Sequence, residues 1–117
     1  MNKIKAYIVP TTHWDREWVM TRGQFQVRLA RMLDNALRFI EKYPEYKFLL
    51  DGQAIPLTDY LEVRPENEGR LKAALAGGRL IAGPWYVLAD QGLESFEASV
   101  RNLLLGRALV ESLGGRP

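Results

Sequence analysis

Near its start the chain reads Ala6-Tyr7-Ile8-Val9-Pro10-Thr11-Thr12-His13-Trp14-Asp15-Arg16-Glu17-Trp18, an apolar run that passes directly into a polar and aromatic loop. The apolar half predicts a buried β-strand over about 5–10. Since side chains alternate with period two along a strand, His13 and Asp15 are expected on the same side of the backbone. Nitrogen and oxygen donors that converge in this way suit a divalent metal such as zinc. Trp18 offers a flat apolar face of the kind on which sugars pack.

The composition excludes several classes of protein. Hydrophobic residues make up 47% of the 117 residues, which is enough for the core of one modest domain. The net charge is only +2 and the charges are interspersed, so nothing favours nucleic acid as a partner. The absence of cysteine excludes disulfides and thiolate zinc sites. The N-terminal apolar run is shorter than the roughly 7–15 residues of a signal-peptide core, and no run reaches the roughly 18 of a membrane span, so we expect a cytoplasmic protein.

Three strand-then-helix units follow one another along the chain. The predicted elements are strand 5–10, helix 23–42, strand 47–50, helices 56–62 and 65–77, strand 79–82 and a last helix from Ser95 to Gly114. Thr21 and Gln24 form the pattern of a capping box before the first helix. The last helix is expected to bury Val100, Leu103, Leu104 and Ala108. This alternation predicts an α/β fold with a parallel sheet of three β/α units and right-handed crossovers.

The candidate functional residues all follow predicted strands. The loops after the carboxyl ends of parallel strands meet at one edge of a sheet, where functional sites usually form. Three clusters lie at such places: His13/Asp15/Trp18, Asp51/Gln53 and Trp85/Asp90. Three separate segments are therefore expected to form one site.

Several of these residues also have a plainer explanation. Tryptophan side chains bury well, and we assign Trp14 to the core. Asp51 and Asp90 could be turn or cap residues, which is what aspartate usually does after a strand. Arg16 and Glu17 could form a solvated surface pair that contributes little to stability.

After its last helix the chain should reach a fourth parallel strand, and the sequence contains none. We therefore expect either a fragment of a larger barrel or a minimal domain whose sheet edge is covered by something else. Exposed apolar faces of such a fragment predict self-association.

The run His13-Trp14-Asp15-Arg16-Glu17-Trp18 closely resembles the opening motif of glycoside hydrolase family 38, the α-mannosidases and their relatives, including mannosylglycerate hydrolases. The resemblance covers essentially the whole chain, in order, through Leu50-Asp51-Gly52-Gln53, Asp59-Tyr60, Arg64-Pro65-Glu66-Asn67, Gly83-Pro84-Trp85-Tyr86 and Val100-Arg101-Asn102-Leu103. The family motif often begins with a further histidine, which is Thr11 here. That position is not a metal ligand in the family, so we expect little effect.

The resemblance implies a seven-stranded β/α barrel-like domain, of which residues 1–117 would form the N-terminal part as a single domain. It implies a Zn²⁺ ion (alternatively Co²⁺) held by His13 and Asp15 together with ligands absent from this chain. Trp18 would form the floor of the sugar subsite, with Trp85 and Asp90 as further substrate-binding residues. The nucleophile and the acid/base are expected beyond Pro117, so no catalytic residue is assigned within the chain.

The implied reaction is hydrolysis of terminal α-mannosidic bonds with retention of configuration, on a mannose-containing oligosaccharide or glycoside. The chain alone is expected to bind metal weakly or not at all and to be inactive. Two other readings stay open. A metal-dependent amidohydrolase or polysaccharide deacetylase would need further histidines. A non-catalytic carbohydrate- or protein-binding α/β domain would need none, and continuation of the reading frame beyond Pro117 would distinguish it from the glycosidase.

Overall fold

Two short parallel strands and four helices make up the computed structural model, which describes residues 3–117. The elements are α1 (Arg22–Lys42), β1 (Phe48–Leu49), α2 (Ile55–Val63), a 3₁₀ turn (Pro65–Asn67), α3 (Glu68–Ala76), β2 (Leu80–Ile81) and α4 (Phe96–Ser112). The predicted order of elements is therefore confirmed from α1 onward. The strands are shorter than predicted, at two residues each.

The sheet is parallel, and its register aligns Phe48 with Leu80 and Leu49 with Ile81. A third segment joins β1 on its other side through a single parallel bridge between Thr11 and Leu49. The Leu49 amide donates to the Pro10 carbonyl at 3.0 Å, and the Thr12 amide donates to the Leu49 carbonyl at 3.2 Å. The three chain segments therefore run side by side in sequence order, with their carboxyl ends at the same edge.

The predicted strand over 5–10 is wrong. Residues 3–10 form no regular secondary structure, and their apolar side chains are exposed, Ile8 to 92%. The register gives the reason. Because Thr11 aligns with Leu49, residues 5–8 would face residues 43–46, which form the turn after α1. That turn offers no extended partner, and Pro44 has no amide proton to donate.

The core lies between the sheet and the helices. Helix α1 starts at the predicted capping box of Thr21 and Gln24, and it buries one stripe of small and aliphatic side chains. The buried stripe consists of Leu29, Ala30, Leu33, Ala36, Leu37 and Ile40. Each fully buried leucine stabilises the fold by about 1.5–3 kcal/mol. At the other end of α1, the Arg79 guanidinium donates to the carbonyls of Ile40 and Tyr43 and so satisfies groups that a helix end leaves without partners.

Helix α4 packs differently from the prediction. Leu104 is 62% exposed and Ala108 is also exposed, whereas Asn102, Gly106 and Val110 are buried. The prediction followed hydrophobicity, but besides Val110 the contact of α4 with residues 84–87 is made by the backbone at Gly106 and the amide of Asn102. The Asn102 side chain donates to the Val87 carbonyl at 2.8 Å and accepts from the Val87 amide at 2.9 Å.

None of the helices in the described part of the chain is long and apolar enough to cross a membrane. Large apolar side chains are nonetheless exposed on α4, at Phe96, Leu104 and Leu105, as well as in residues 3–10. Self-association remains a prediction.

Replacing Gly106 with Ala should destabilise the fold strongly. A β-carbon at this position would lie 2.2 Å from the Pro84 carbonyl oxygen and 2.3 Å from the Trp85 carbonyl carbon, so backbone would have to move. We expect the free energy of unfolding to fall by about 3 kcal/mol or more in urea titrations. Gly69→Ala is the matched control, because a β-carbon in α3 meets nothing within 4 Å. It should leave stability unchanged or raise it by up to about 1 kcal/mol. Equal losses in the two variants would contradict this account of α4.

Candidate functional site

His13 lies at the start of the loop that follows the Thr11 bridge, and it contacts two carboxylates. Its Nδ1 atom is 2.6 Å from Asp51 Oδ2, and its Nε2 atom is 3.9 Å from Asp15 Oδ1. The His13 side chain is 71% exposed, and both aspartates are partly exposed. The structure therefore brings together the imidazole and carboxylate that the alternation of side chains predicted to lie side by side, and it adds Asp51 from the second segment.

The backbone at the end of β1 directs Asp51 toward His13. Asp51 has a positive φ of +47°, and Gly52 follows at +76°. The turn is closed by the Gln53 amide, which donates to the Leu50 carbonyl at 2.9 Å. Left-handed backbone is uncommon for residues other than glycine, although aspartate tolerates it better than most.

The contact with Asp51 is made by the Nδ1 atom of the His13 ring and favours a proton on that atom. An ionised carboxylate can only accept hydrogen bonds, so Nδ1 must be the donor. In the neutral imidazole this leaves the Nε2 lone pair on the side of Asp15. The hydrogen bond with Asp51 raises the pKa of His13; burial opposes the shift, and the charges of Asp51 and Asp15 add to it.

A metal ion fits this arrangement in part. Metal-bound histidines usually donate their other ring N–H to a carboxylate, as His13 does to Asp51. Zinc bonds to nitrogen and oxygen of about 2.0–2.2 Å at a tetrahedral angle place two donors about 3.4 Å apart. Nε2 and the Asp15 oxygen, at 3.9 Å, would need to approach by a few tenths of an ångström. Within residues 3–117 no group of three histidine or acidic side chains is placed to hold a metal, so the chain offers two donors.

A cavity of about 250 Å³ opens beside His13 and Asp15 and continues between the loop and residues 87–88. Its lining includes Gln53, which is buried and donates through Nε2 to the Trp14 carbonyl at 3.0 Å. Gln53 also pairs with Trp85 in a parallel bridge. The backbone of all three predicted segments therefore comes together near this cavity, whereas the side chains of Trp18, Trp85 and Asp90 do not line it.

Asp59 holds the loop that carries Asp15 through its contact with Arg16. The sequence alone did not predict Asp59 as part of the site. Its side chain, 3% exposed on α2, accepts from Arg16 Nε at 2.7 Å and Arg16 Nη2 at 2.9 Å. Arg22 Nη2 donates to the same carboxylate at 2.9 Å. Arg16 is therefore not one half of a solvated pair with Glu17. The available signal was a carboxylate close to the apolar residues Leu57, Tyr60 and Leu61 in a helix, where its burial would require a cationic partner.

Two arginines keep Asp59 ionised in spite of its burial. Burial acts to raise the pKa of Asp59, but hydrogen bonds from Arg16 and Arg22 and their positive charges outweigh it, so its pKa lies below the ordinary value. Because Arg16 directly follows Asp15, this bidentate contact also restrains the backbone that presents Asp15.

Three other predicted site residues do not line the cavity beside His13. Trp18 is 76% exposed and borders a neighbouring surface depression of about 340 Å³, not the cavity beside His13. Trp85 is half-buried, and its ring lies against Gly52. Asp90 is exposed in the turn before α4, and its carbonyl accepts from the Leu93 and Glu94 amides. Trp14 packs edge-on against Phe25 at 5.8 Å between ring centroids, as expected of a core residue.

A larger groove of about 570 Å³ lies between α1 and α3 and shares no residue with the cavity beside His13. Its charged groups are already paired, since Arg70 binds Glu41 at 2.6 Å and Arg79 binds main-chain carbonyls of α1 and the following turn. The smaller cavity is therefore the better candidate for chemistry.

Comparison with known proteins agrees with the motif in the loop. The family model described as the glycosyl hydrolases family 38 N-terminal domain matches residues 3–116. The chain belongs to this family. It is 42% identical over 113 residues to a protein of Halalkalibacterium halodurans named "Putative mannosylglycerate hydrolase", over 96% of this chain and 13% of that protein. It is 28% identical over 107 residues to Alpha-mannosidase 2 of Drosophila melanogaster, over 89% of this chain and 9% of that protein.

Solved structures of family 38 proteins share the fold. An α-mannosidase from Enterococcus faecalis V583 superimposes with a TM-score of 0.87 at 44% identity, over 93% of this chain and 12% of that one. A second family 38 protein from Enterococcus faecalis gives 0.84 at 41% identity, over 95% of this chain and 13% of that one. The chain thus spans only 9–13% of the length of these relatives.

Replacing Asp59 with Asn should cost this family 38 segment about 1.5–3 kcal/mol in free energy of unfolding at neutral pH, because the charged acceptor of Arg16 is lost. Pairing lowers the folded-state pKa of Asp59. The contribution of its charge is therefore complete above the pKa of an unfolded aspartate, about 3.9, and disappears as the pH falls through the lower folded value. Urea titrations from neutral to acidic pH should show the two proteins converging in stability.

Glu62→Gln is the matched control for this experiment. Glu62 accepts from Arg22 in the same network but is partly exposed, so its replacement should have little effect at any pH. A stability gap between Asp59→Asn and the parent that widened toward acidic pH would contradict the assignment.

Proposed function

We propose that this chain forms the N-terminal part of the catalytic domain of a retaining, zinc-dependent α-mannosidase. The observation that supports the proposal most directly is the His13 imidazole, held by Asp51 with its Nε2 on the side of Asp15. Membership of family 38 and the names of the relatives support the mannose-containing substrate. The seven-stranded barrel and the single-domain assignment of residues 1–117 belong to the same proposal.

His13 Nε2 and Asp15 Oδ1 would hold the metal together with ligands from other parts of the protein. Bound there, a zinc or cobalt ion would supply Lewis-acid contacts to vicinal sugar hydroxyls. The chain's own contribution is positional. Asp51 orients the imidazole, and Asp59 restrains Arg16 and with it the backbone of Asp15. The His13 ring and the backbone of Asp15 are therefore both restrained beside the cavity.

The nucleophile and the acid/base are assigned to regions outside this chain. Retention of configuration requires two carboxyl groups about 5–5.5 Å apart on either side of the scissile bond. The sugar would meet this segment through Trp18, with Trp85 and Asp90 further around the rim. A cytoplasmic location also remains a prediction.

Titration of Zn²⁺ into the isolated chain should show weak binding or none. Two protein donors fall short of the three or four that zinc sites usually provide. Isothermal titration calorimetry measures this directly, and His13→Ala serves as the control for adventitious binding. Sub-micromolar affinity that depends on His13 and Asp15 would show that the chain holds the metal by itself and would contradict the proposed division of ligands.

Catalysis is best tested in a chimera, in which residues 3–116 replace the matching segment of the Enterococcus faecalis α-mannosidase. The chimera should hydrolyse an aryl α-mannoside. His13→Ala and Asp15→Ala should each lower kcat/KM at least about 100-fold, because loss of a ligand removes several kcal/mol of transition-state stabilisation. Glu45→Gln, an exposed change in the turn before β1, is the control. Unchanged activity and zinc content in His13→Ala would exclude the proposed role.

Two tryptophans of the same loop should respond in opposite ways to replacement by alanine. Trp18 is exposed, so Trp18→Ala should raise the KM of the chimera and leave its stability unchanged. Trp14 packs against Phe25 and the core, so Trp14→Ala should lower the free energy of unfolding of the chain by about 2 kcal/mol. An unchanged KM in Trp18→Ala would remove this residue from the substrate site.

A further inference from the structure

We infer that Asp51 is a positioning residue that fixes both the tautomer and the orientation of the His13 imidazole before any metal binds. The purpose of this arrangement, metal binding by His13, rests on the proposed function. The tautomer and orientation of the ring can be measured without metal. Asp51 touches neither the proposed sugar site nor the Nε2 atom. It acts only through His13.

The geometry distinguishes Asp51 from Asp15 as the partner of the ring. The Asp51 oxygen lies 2.6 Å from Nδ1, within hydrogen-bond distance, whereas the Asp15 oxygen lies 3.9 Å from Nε2. Asp51 therefore holds one nitrogen and leaves the other open. A free neutral imidazole side chain in water prefers the opposite tautomer, with its proton on Nε2. Asp51 must overcome that preference, and an ionised acceptor in direct contact supplies the energy to do so.

The backbone supports the same assignment. Among residues 3–117, Asp51 is the only residue other than glycine with a positive φ. An unfavourable backbone conformation that places one side chain against a candidate ligand is the kind of local cost that functional sites retain. The conformation also determines which variants test the contact. Glycine accepts a positive φ freely and asparagine tolerates it, whereas alanine would add strain of its own.

The tautomer can be read directly, because His13 is the only histidine of the chain. Long-range ¹H–¹⁵N correlation spectra of the metal-free chain, recorded at alkaline pH where the imidazole is neutral, report which nitrogen bears the proton. In the parent protein, Nδ1 should be protonated in most molecules. In Asp51→Gly the ratio should invert, so that Nε2 is protonated in the majority. Asp51→Asn, which keeps a neutral acceptor and tolerates the backbone, should lie between the two.

Asp15→Asn is the matched control, because it changes the carboxylate on the other side of the ring and should leave the tautomer ratio as in the parent. Amide spectra of each variant show whether the fold is retained. A parent protein with its proton mainly on Nε2, or a ratio unchanged in folded Asp51→Gly and Asp51→Asn, would overturn the inference.

Zinc titrations of the chimera described above, which supplies the remaining ligands, separate this inference from the proposed function. If both hold, the zinc affinity of the Asp51→Gly chimera should be roughly 10–100-fold weaker than that of the parent chimera. If the tautomer inverts as expected in the isolated chain but the chimera binds zinc equally well with His13→Ala, the role of Asp51 in holding the ring is supported and the metal role of His13 in the proposed function is contradicted.

Discussion

Two main-chain hydrogen bonds, from Leu49 to Pro10 and from Thr12 to Leu49, determine where the candidate site forms. Among the described residues, they are the only main-chain hydrogen bonds between residues 10–12 and β1, and they align Thr11 with Leu49. Because the pairing is parallel, the residues that follow on both segments emerge at the same edge. His13 and Asp51, each two residues beyond the bridge, therefore meet although they are 38 positions apart in the chain.

The residues that hold the candidate site in place are buried, whereas the residues of the site itself are exposed. His13 contacts its two carboxylates in water, where such contacts contribute little to folding. Asp59, by contrast, is almost fully buried with two arginines on it, and Asn102 and Gly106 fix the 84–87 segment against α4. Substitutions at His13 and its carboxylates can therefore alter the chemistry of the site with little loss of stability. Substitutions at Asp59, Asn102 or Gly106 destabilise the structure that supports the site.

The sequence predicted the helices better than the sheet, for a physical reason. Helix α1 depends on local signals, the capping box at Thr21 and a stripe with helical spacing, and both are present as expected. A strand depends on a neighbour that the local pattern does not show, so the apolar run at 6–9 was assigned as buried although its partner segment is a turn. Likewise, hydrophobicity favoured Leu104 at the α4 contact, but the contact needs a glycine and an amide. The pair of His13 and Asp15 was predictable from spacing, and the place of Asp51 at the same edge from the parallel order of strands. The role of Asp59 was not predictable, because it depends on a tertiary contact between α2 and Arg16.

An exposed pair of donors is a poor metal site unless the protein removes much of its freedom beforehand. A histidine on a loop can rotate about two torsions and exchange tautomers, and each alternative lowers the fraction of molecules ready to bind. In this segment Asp51 restricts the imidazole, and Asp59 restricts the backbone of Asp15 through Arg16. The segment therefore contributes preorganisation more than affinity. That division suits a site whose remaining ligands come from elsewhere, because ligands that arrive later then find two donors already in position.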